Sequence, residues 1–267
     1  MSSKGIYSAV SGAMAQSSRL DTIANNLANV NTTSFKKDRQ VFSEYLSAHE
    51  KNDPHINVPR VPASIESFYD MQGGDNAYVN PAGTYTNFEQ GVLRSTGSAF
   101  DVAIEGKGFL EVLTPQGVRW TRNGALQIDG NGRLTTKEGH PVLRDGQNDP
   151  AQRIVQLVSG NVTISRAGDV FDGGNNVGKL ALVDFQVADD LQKVGGSMYQ
   201  LKSNAVSQPQ IARDARIHQG FVEGSNVNVI EEMTDMITAN RVFEATQQAI
   251  KGHDQMDDKL INQVGKV

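Results

Sequence analysis

The stretch Leu20–Asp38, LDTIANNLANVNTTSFKKD, decides how this chain is read. Leu20, Ile23, Ala24 and Leu27 form an apolar stripe at helical spacing, yet the same turns carry Asn25, Asn26 and Asn29, and Asn31 follows. Asparagine is a poor helix former because its short amide competes for nearby backbone hydrogen bonds. A helix that accepts this near its end needs a use for the amides. Two uses stand side by side: hydrogen bonds across a crowded seam that fix register between helices, or capping and fraying of the helix end against water.

Towards the N-terminus the stripe continues through Ile6, Val10, Ala13 and Ser17, alternating steps of four and three, with Val30 widening it at the far end. This heptad-like seam of mostly small residues predicts a helix of about 25 residues, which Ser2 or Ser3 is placed to cap. The C-terminal segment repeats the theme. Val229, Met233, Met236, Ile237, Phe243, Ile250, Met256, Leu260 and Ile261 fall at helical intervals. Asn228 with Glu231 makes an asparagine form of the capping box, and Glu232 adds favourable charge in the first turn. Gly252 weakens the middle of that helix.

Between the two helices the period changes from 3.6 to 2. Phe100, Val102 and Ile104 alternate with Asp101, Ala103 and Glu105; Leu126 and Ile128 alternate again, and short apolar or β-branched runs follow at 154–158, 162–164 and 180–185. Asn123-Gly124, Asp129-Gly130, Asn131-Gly132, Asp145-Gly146 and Asp172-Gly173 supply turn signals between them. Prolines 54, 59, 62 and 81 punctuate one flank of this region, and a polar stretch covers the other. The expected organisation is an N-terminal axial helix region (1–48), an extended connector (49–84), a central antiparallel β domain (85–201), a second connector (202–222) and a C-terminal axial helix (223–267). The fold class expected is α+β, with the long N- and C-terminal helices paired in a coiled-coil-like bundle. Two helices alone bury only one side of each stripe, so this organisation calls for self-assembly.

Composition removes several functions. The chain has 267 residues, a net charge of −5 and no cysteine, so disulfides, thiol catalysis and cysteine-rich zinc sites are excluded. The only basic clusters are short (Lys36, Lys37, Arg39; Arg213, Arg216), which argues against nucleic acid. The five histidines show no metal-ligand spacing, Gly106-Lys107-Gly108 lacks the third glycine of a dinucleotide site, and Asp129-Gly130-Asn131 fails as a calcium loop at Arg133 and Leu134. No catalytic pair or triad is visible, and no cofactor or metal is expected. Lys4 to Ala15 imitates a signal peptide, but Gly5, Ser8, Ser11 and Gly12 interrupt its core and the helical spacing runs on past it, so no cleaved signal is expected. No apolar run is long enough to span a bilayer.

Ends and middle together resemble the bacterial flagellar axial proteins of rod and hook. The resemblance is carried by LDTIANNLANVNTTSFKKD, by TGSAFDVAIEGKGFLEV and RWTRNGALQIDGNGRLTTKEGHPVL, and by GFVEGSNVNVIEEMTDMITANRVFEA, in that order. Length and middle segments look most like the proximal rod subunit, the distal rod subunit second, and the hook protein less so. The resemblance implies a structural, non-enzymatic, self-assembling subunit of the basal-body rod that transmits torque for motility. It implies export unfolded through the flagellar type III apparatus to the periplasm, and partners that are copies of the same chain and other rod proteins. By matching positions, it implies that Asn25, Asn26, Asn29, Asn31 and Phe35 belong to the inter-subunit helix end, and Ser225, Asn226, Asn228, Glu231 and Glu232 to the start of the partner helix. Ser34 stands where the family pattern has glycine, and a left-handed backbone there would be strained. A secreted module that binds through its β domain is the alternative of a different class.

Overall fold

The computed structural model describes the backbone of residues 4–46, 77–146 and 148–264. The expected caps Ser2 and Ser3, most of the 49–84 connector and the side chains of Ile6, Leu260 and Ile261 lie outside the described residues. The chain divides into two compact units. One holds residues 1–25, 39–85 and 230–267; the other holds 26–38 and 86–229.

Helix α1 (Lys4–Ala28) lies in the first unit up to Asn25, and strands β1 (Asp38–Leu46) and β2 (Ala77–Thr86) form a two-stranded sheet. Gln40 on β1 donates to the Ser18 hydroxyl of α1 at 2.7 Å. Helix α2 spans Val229–Val264. Its Thr234, Thr238 and Thr246 hydroxyls each donate to the carbonyl four residues back, which satisfies these groups inside the helix.

The coiled-coil-like bundle expected of the two ends is not formed. Among the described residues, the extensive contacts between elements are all strand to strand, and the chain is mostly β-sheet with one helix at each end. The physical reason lies in the stripes. Ala15 and Ile23 on α1 and Ala239 on α2 are buried, but Tyr7 and Met14 on α1 and Ile230, Met233, Ile237, Val242 and Met256 on α2 remain exposed. Periodicity shows that a helix has an apolar face; it does not show what covers that face.

The second unit is a β body in which every strand pairing is antiparallel. Its largest sheet has six strands in the order β13 (Leu191–Lys193), β14 (Met198–Leu201), β6 (Gly117–Thr121), β5 (Phe109–Thr114), β12 (Leu182–Asp184) and β15 (Gln210–Ile211). The β5–β6 hairpin pairs Val112 with Arg119 and Thr114 with Gly117. A three-stranded sheet joins β11 (Asn175–Lys179), β10 (Asp169–Asp172) and β9 (Val162–Ile164). Three two-stranded sheets complete the body: β16 (Arg216–Gln219) with β4 (Val102–Glu105), β17 (Phe221–Glu223) with β3 (Leu93–Ser95), and β7 (Leu126–Ile128) with β8 (Leu134–Thr136).

Val102, Ile104, Leu110, Val112, Leu134, Val142 and Ile217 form the centre of the main core. Phe109, Trp120, Phe185 and Tyr199 form a second, aromatic cluster on which Phe88 packs, with ring centroids 5.0 to 5.8 Å apart and several edge-to-face. Gly124 admits the closest backbone approach: a Cβ there would sit 1.8 Å from the Val102 carbonyl oxygen, whose own amide donates to Gly124.

Candidate functional site

The family-like stretches that flank the two helices meet inside the β body. Leaving α1, the chain makes tight turns in which the amides of Asn29 and Thr32 donate to the carbonyls of Asn26 and Asn29. It then reaches Ser34, which adopts a left-handed backbone with φ of 56°. This is the strained geometry expected at a position where the family pattern has glycine. Ser34 is held there from both sides: its amide donates to the Glu223 carbonyl at 2.9 Å and its hydroxyl to the Arg122 carbonyl at 2.8 Å. Its side chain is completely buried.

Two residues on, Lys36 enters the interior. Its amine donates to Glu223 Oε1 and to the Glu89 carbonyl, both at 2.6 Å, and neither Lys36 nor Glu223 retains any side-chain exposure. Glu223 Oε1 also accepts the Gly91 amide at 2.9 Å, while Oε2 accepts Arg122 Nε at 2.8 Å. The remaining Arg122 nitrogens donate to the carbonyls of Gly106, Gly108 and Ile104. Two cations therefore share one carboxylate, and four backbone carbonyls complete their solvation. Burial pulls the Lys36 ammonium below the usual lysine range, and Glu223 opposes that shift. Loss of the shared carboxylate is the expensive change, because removing Glu223 strands Lys36 and Arg122 as charges away from water.

Further anchors surround this triad. Lys193 donates to the Lys36 carbonyl at 2.6 Å and to Asp38 Oδ2 at 2.7 Å, and its amine lies 4.4 Å from the centre of the Phe35 ring. Burial lowers the Lys193 pKa while Asp38 works against it. Thr86 donates to the other oxygen of Asp38. Asn226 accepts the Lys37 amide at 2.7 Å through Oδ1 and donates through Nδ2 to the carbonyls of Asn87 and Glu89. Tyr199, buried beside this region, has its phenol pushed well above the usual tyrosine range by desolvation, with Asp38 adding to the effect.

Asn26 is almost wholly buried. Its Nδ2 donates to the Asp38 carbonyl and its Oδ1 accepts the Asp38 amide, so its side chain pairs with both backbone groups of one residue as a neighbouring strand would. The asparagine-rich helix end thus has a use within its own chain.

Of the residues singled out in the sequence, the β body gathers Asn26, Phe35, Ser225 and Asn226, with the Ser225 hydroxyl accepting the Val227 amide. Asn29 accepts the Thr32 hydroxyl, and Asn31 is exposed. Along α1, Asn25 and Val10 are exposed, Ala13, Leu20 and Leu27 partly buried, and Ile23 buried. Asn228 precedes α2 and is exposed. On that helix Glu231, Met233 and Ile237 are exposed, Val229, Met236, Phe243 and Ile250 partly buried, and Glu232 buried. Sequence reasoning passed over Lys36, Arg122, Glu223, Asp38 and Lys193. Four of the five lie inside the family-like stretches quoted above, which was the available signal. Among the described residues no group of three or more His, Asp or Glu is placed to hold a metal, and no helix is long and apolar enough to cross a membrane.

Three family models match the chain. Residues 6–36 match the flagella basal body rod protein family, 103–172 the flagellar hook protein FlgE/F/G D1 domain, and 218–263 the flagellar basal body rod FlgEFG protein C-terminal family. Flagellar basal-body rod protein FlgG of Buchnera aphidicola (strain Sg) is 34% identical over 260 residues, covering 93% of this chain and 95% of its own. Flagellar basal-body rod protein FlgF of Caulobacter vibrioides is 32% identical over 263 residues, covering 98% of each. FlgG of Borreliella burgdorferi is 34% identical over 266 residues, covering 95% of this chain and 96% of its own.

Proposed function

The chain belongs to the flagellar basal-body rod protein family, and from that premise we propose that it builds the rod through the apolar faces of α1 and α2, packed against copies of itself and other rod subunits. It is a structural subunit of the flagellar basal body. The observation that carries the assembly reading is the set of large apolar side chains left in water along both helices, Tyr7, Met14, Met233 and Ile237 among them. The two rod-family matches at the ends of the chain cover most of both helices, which supports assigning assembly to them.

In this reading the assembling ends are residues 1–48 and 223–267, and the β domain between them centres on 85–201. The interface residues are those of the two stripes, from Ile6 and Val10 to Phe243 and Ile250, with the flanking asparagines and Glu231 and Glu232. Many weak helix contacts repeated by a non-closing symmetry would give a stiff tube able to carry torque without catalytic activity. Export through the flagellar type III apparatus and a position in the proximal rod belong to the same proposal. The distal position is the alternative, since FlgF-type and FlgG-type relatives match at similar identity.

Electron microscopy of basal bodies from a strain lacking this chain tests the reading. Rods truncated at their membrane-proximal segment are expected. Truncation further out moves the chain to the distal rod, and complete rods with normal motility overturn the structural role.

A further inference from the structure

The segment from Asn26, in the last turn of α1, to Asp38, the first residue of β1, forms a loop closed at its own neck. Asn26 and Asp38, twelve residues apart, exchange two hydrogen bonds, and the residues between them pack with the β body while the chain on either side belongs to the other unit. This is the anatomy of an Ω-loop. Its fully buried residues are Ser34 and Lys36.

The socket that receives Lys36 is complete without it. Glu223 keeps the Arg122 guanidinium on Oε2 and the Gly91 amide on Oε1. Arg122 keeps the three carbonyls of Ile104, Gly106 and Gly108. Asn226 keeps the carbonyls of Asn87 and Glu89. Withdrawing the loop leaves the Glu223–Arg122 pair bonded. It takes the Lys36 carbonyl and Asp38 from the Lys193 amine and the Thr33 carbonyl from the Ser197 hydroxyl, but the Lys193 side chain is already 25% exposed to water. The main core of Val102, Ile104, Leu110, Val112 and Ile217 contains no loop residue.

We propose that the Asn26–Asp38 loop is a latch, opening and closing as one piece on a β body that stays folded, with Lys36 as its bolt. Its closed state joins the residue that ends the helix-exit turn, Ser34, to Glu223, and Phe35 to Asn226, just ahead of α2. The latch thereby fixes, within the β body, the points at which the chain arrives from α1 and departs for α2. The proposal concerns the single chain and holds whether or not the assembly reading does.

Hydrogen exchange on the full-length chain at neutral pH tests it, with Lys36→Met removing the charge and keeping the length. Two sets of amides are compared. Ser34, Lys37, Asn87 and Asn226 make bonds that exist only when the loop is closed; Leu113, Val142 and Ile217 make bonds within the body, to Pro141, Leu134 and Arg166. The variant is expected to exchange the first set faster by tenfold or more, on the order of the loss of one buried charged hydrogen bond, and to leave the second set unchanged. A joint rise of both sets would show Lys36 to be part of the global core, and no rise in the first would show that it holds nothing; either overturns the latch. Should Lys36→Met fail to fold, Asn226→Ala removes latch bonds outside the ion triad and is expected to give the same selective pattern, with the same two outcomes against it.

Discussion

Asn26 and Asp38 hold each other across the neck of the loop, Asn26 Nδ2 donating to the Asp38 carbonyl at 2.9 Å and the Asp38 amide donating to Asn26 Oδ1 at 3.0 Å. Replacing Asn26 with alanine favours the isolated helix by roughly 0.6 kcal/mol through propensity. It also removes two part-buried hydrogen bonds, a loss of about 2–3 kcal/mol. The second effect wins, so Asn26→Ala is expected to lower the urea midpoint of the monomer. A midpoint equal to the parent's would show that the amide works only between molecules.

Ser34 sets strain against hydrogen bonding. The left-handed backbone costs a non-glycine residue about 1–2 kcal/mol, and glycine would relieve it. Glycine would also delete the hydroxyl that satisfies the buried Arg122 carbonyl, a loss of about 1–2 kcal/mol. The two nearly cancel. Ser34→Gly is expected within about 1 kcal/mol of the parent in chemical denaturation, and Ser34→Ala, which keeps the strain and loses the bond, clearly below it. Alanine equal to glycine would mean that φ at this residue carries no strain.

Acid should loosen the β9–β10 region. The Asp172 carboxyl is held below its usual range chiefly by the Ser159 hydroxyl, with the amides of Ser159 and Val158 adding to it. A depressed carboxyl contributes stability that is present above its unfolded pKa of about 4 and is lost as pH falls through the folded value. Asp172→Asn is expected to be less stable than the parent at pH 6, and the gap between the two should shrink below about pH 4. A gap that stays constant down to pH 2.5 would remove the carboxylate from the account.

The exposed faces of the helices separate stability from assembly. Met14, Met233 and Ile237 are 66%, 49% and 56% exposed, so their replacement by serine should shift monomer stability by no more than about 0.5 kcal/mol. The same triple variant is expected to abolish swimming and to leave few rods in isolated basal bodies. Swimming at the parental rate would detach these faces from assembly.

What the sequence disclosed followed local physics. The Asp172-Gly173 signal sits at a turn between β10 and β11 where Gly173 and Gly174 take φ of 57° and 91°. Asp129 folds its own turn, accepting the amides of Asn131 and Arg133. The β-branched run at 162–164 is strand β9, with Val162 and Ile164 buried and Thr163 exposed. Asn123-Gly124 is different: it reads as a hairpin, but its glycine is required by the Val102 carbonyl beside it.

The candidate site was legible in outline and hidden in detail. Its segments stood out, but a lysine in a run of Lys36, Lys37 and Arg39 reads as a solvated face. What buries Lys36 is Glu223, 187 positions later in sequence, and no local pattern encodes such a partner. The pairing of the two helices failed for the converse reason: each stripe is a local property, whereas what covers it is not.

The charge count in that interior has a consequence for how the protein can change over generations. With two cations sharing one carboxylate, a mutation at Glu223 alone would leave Lys36 and Arg122 as enclosed, mutually repelling charges. Position 223 is therefore locked to 36 and 122. A descendant that drops the acid has to neutralise one of its bases in the same step, and a search of mutant libraries should recover such changes as pairs.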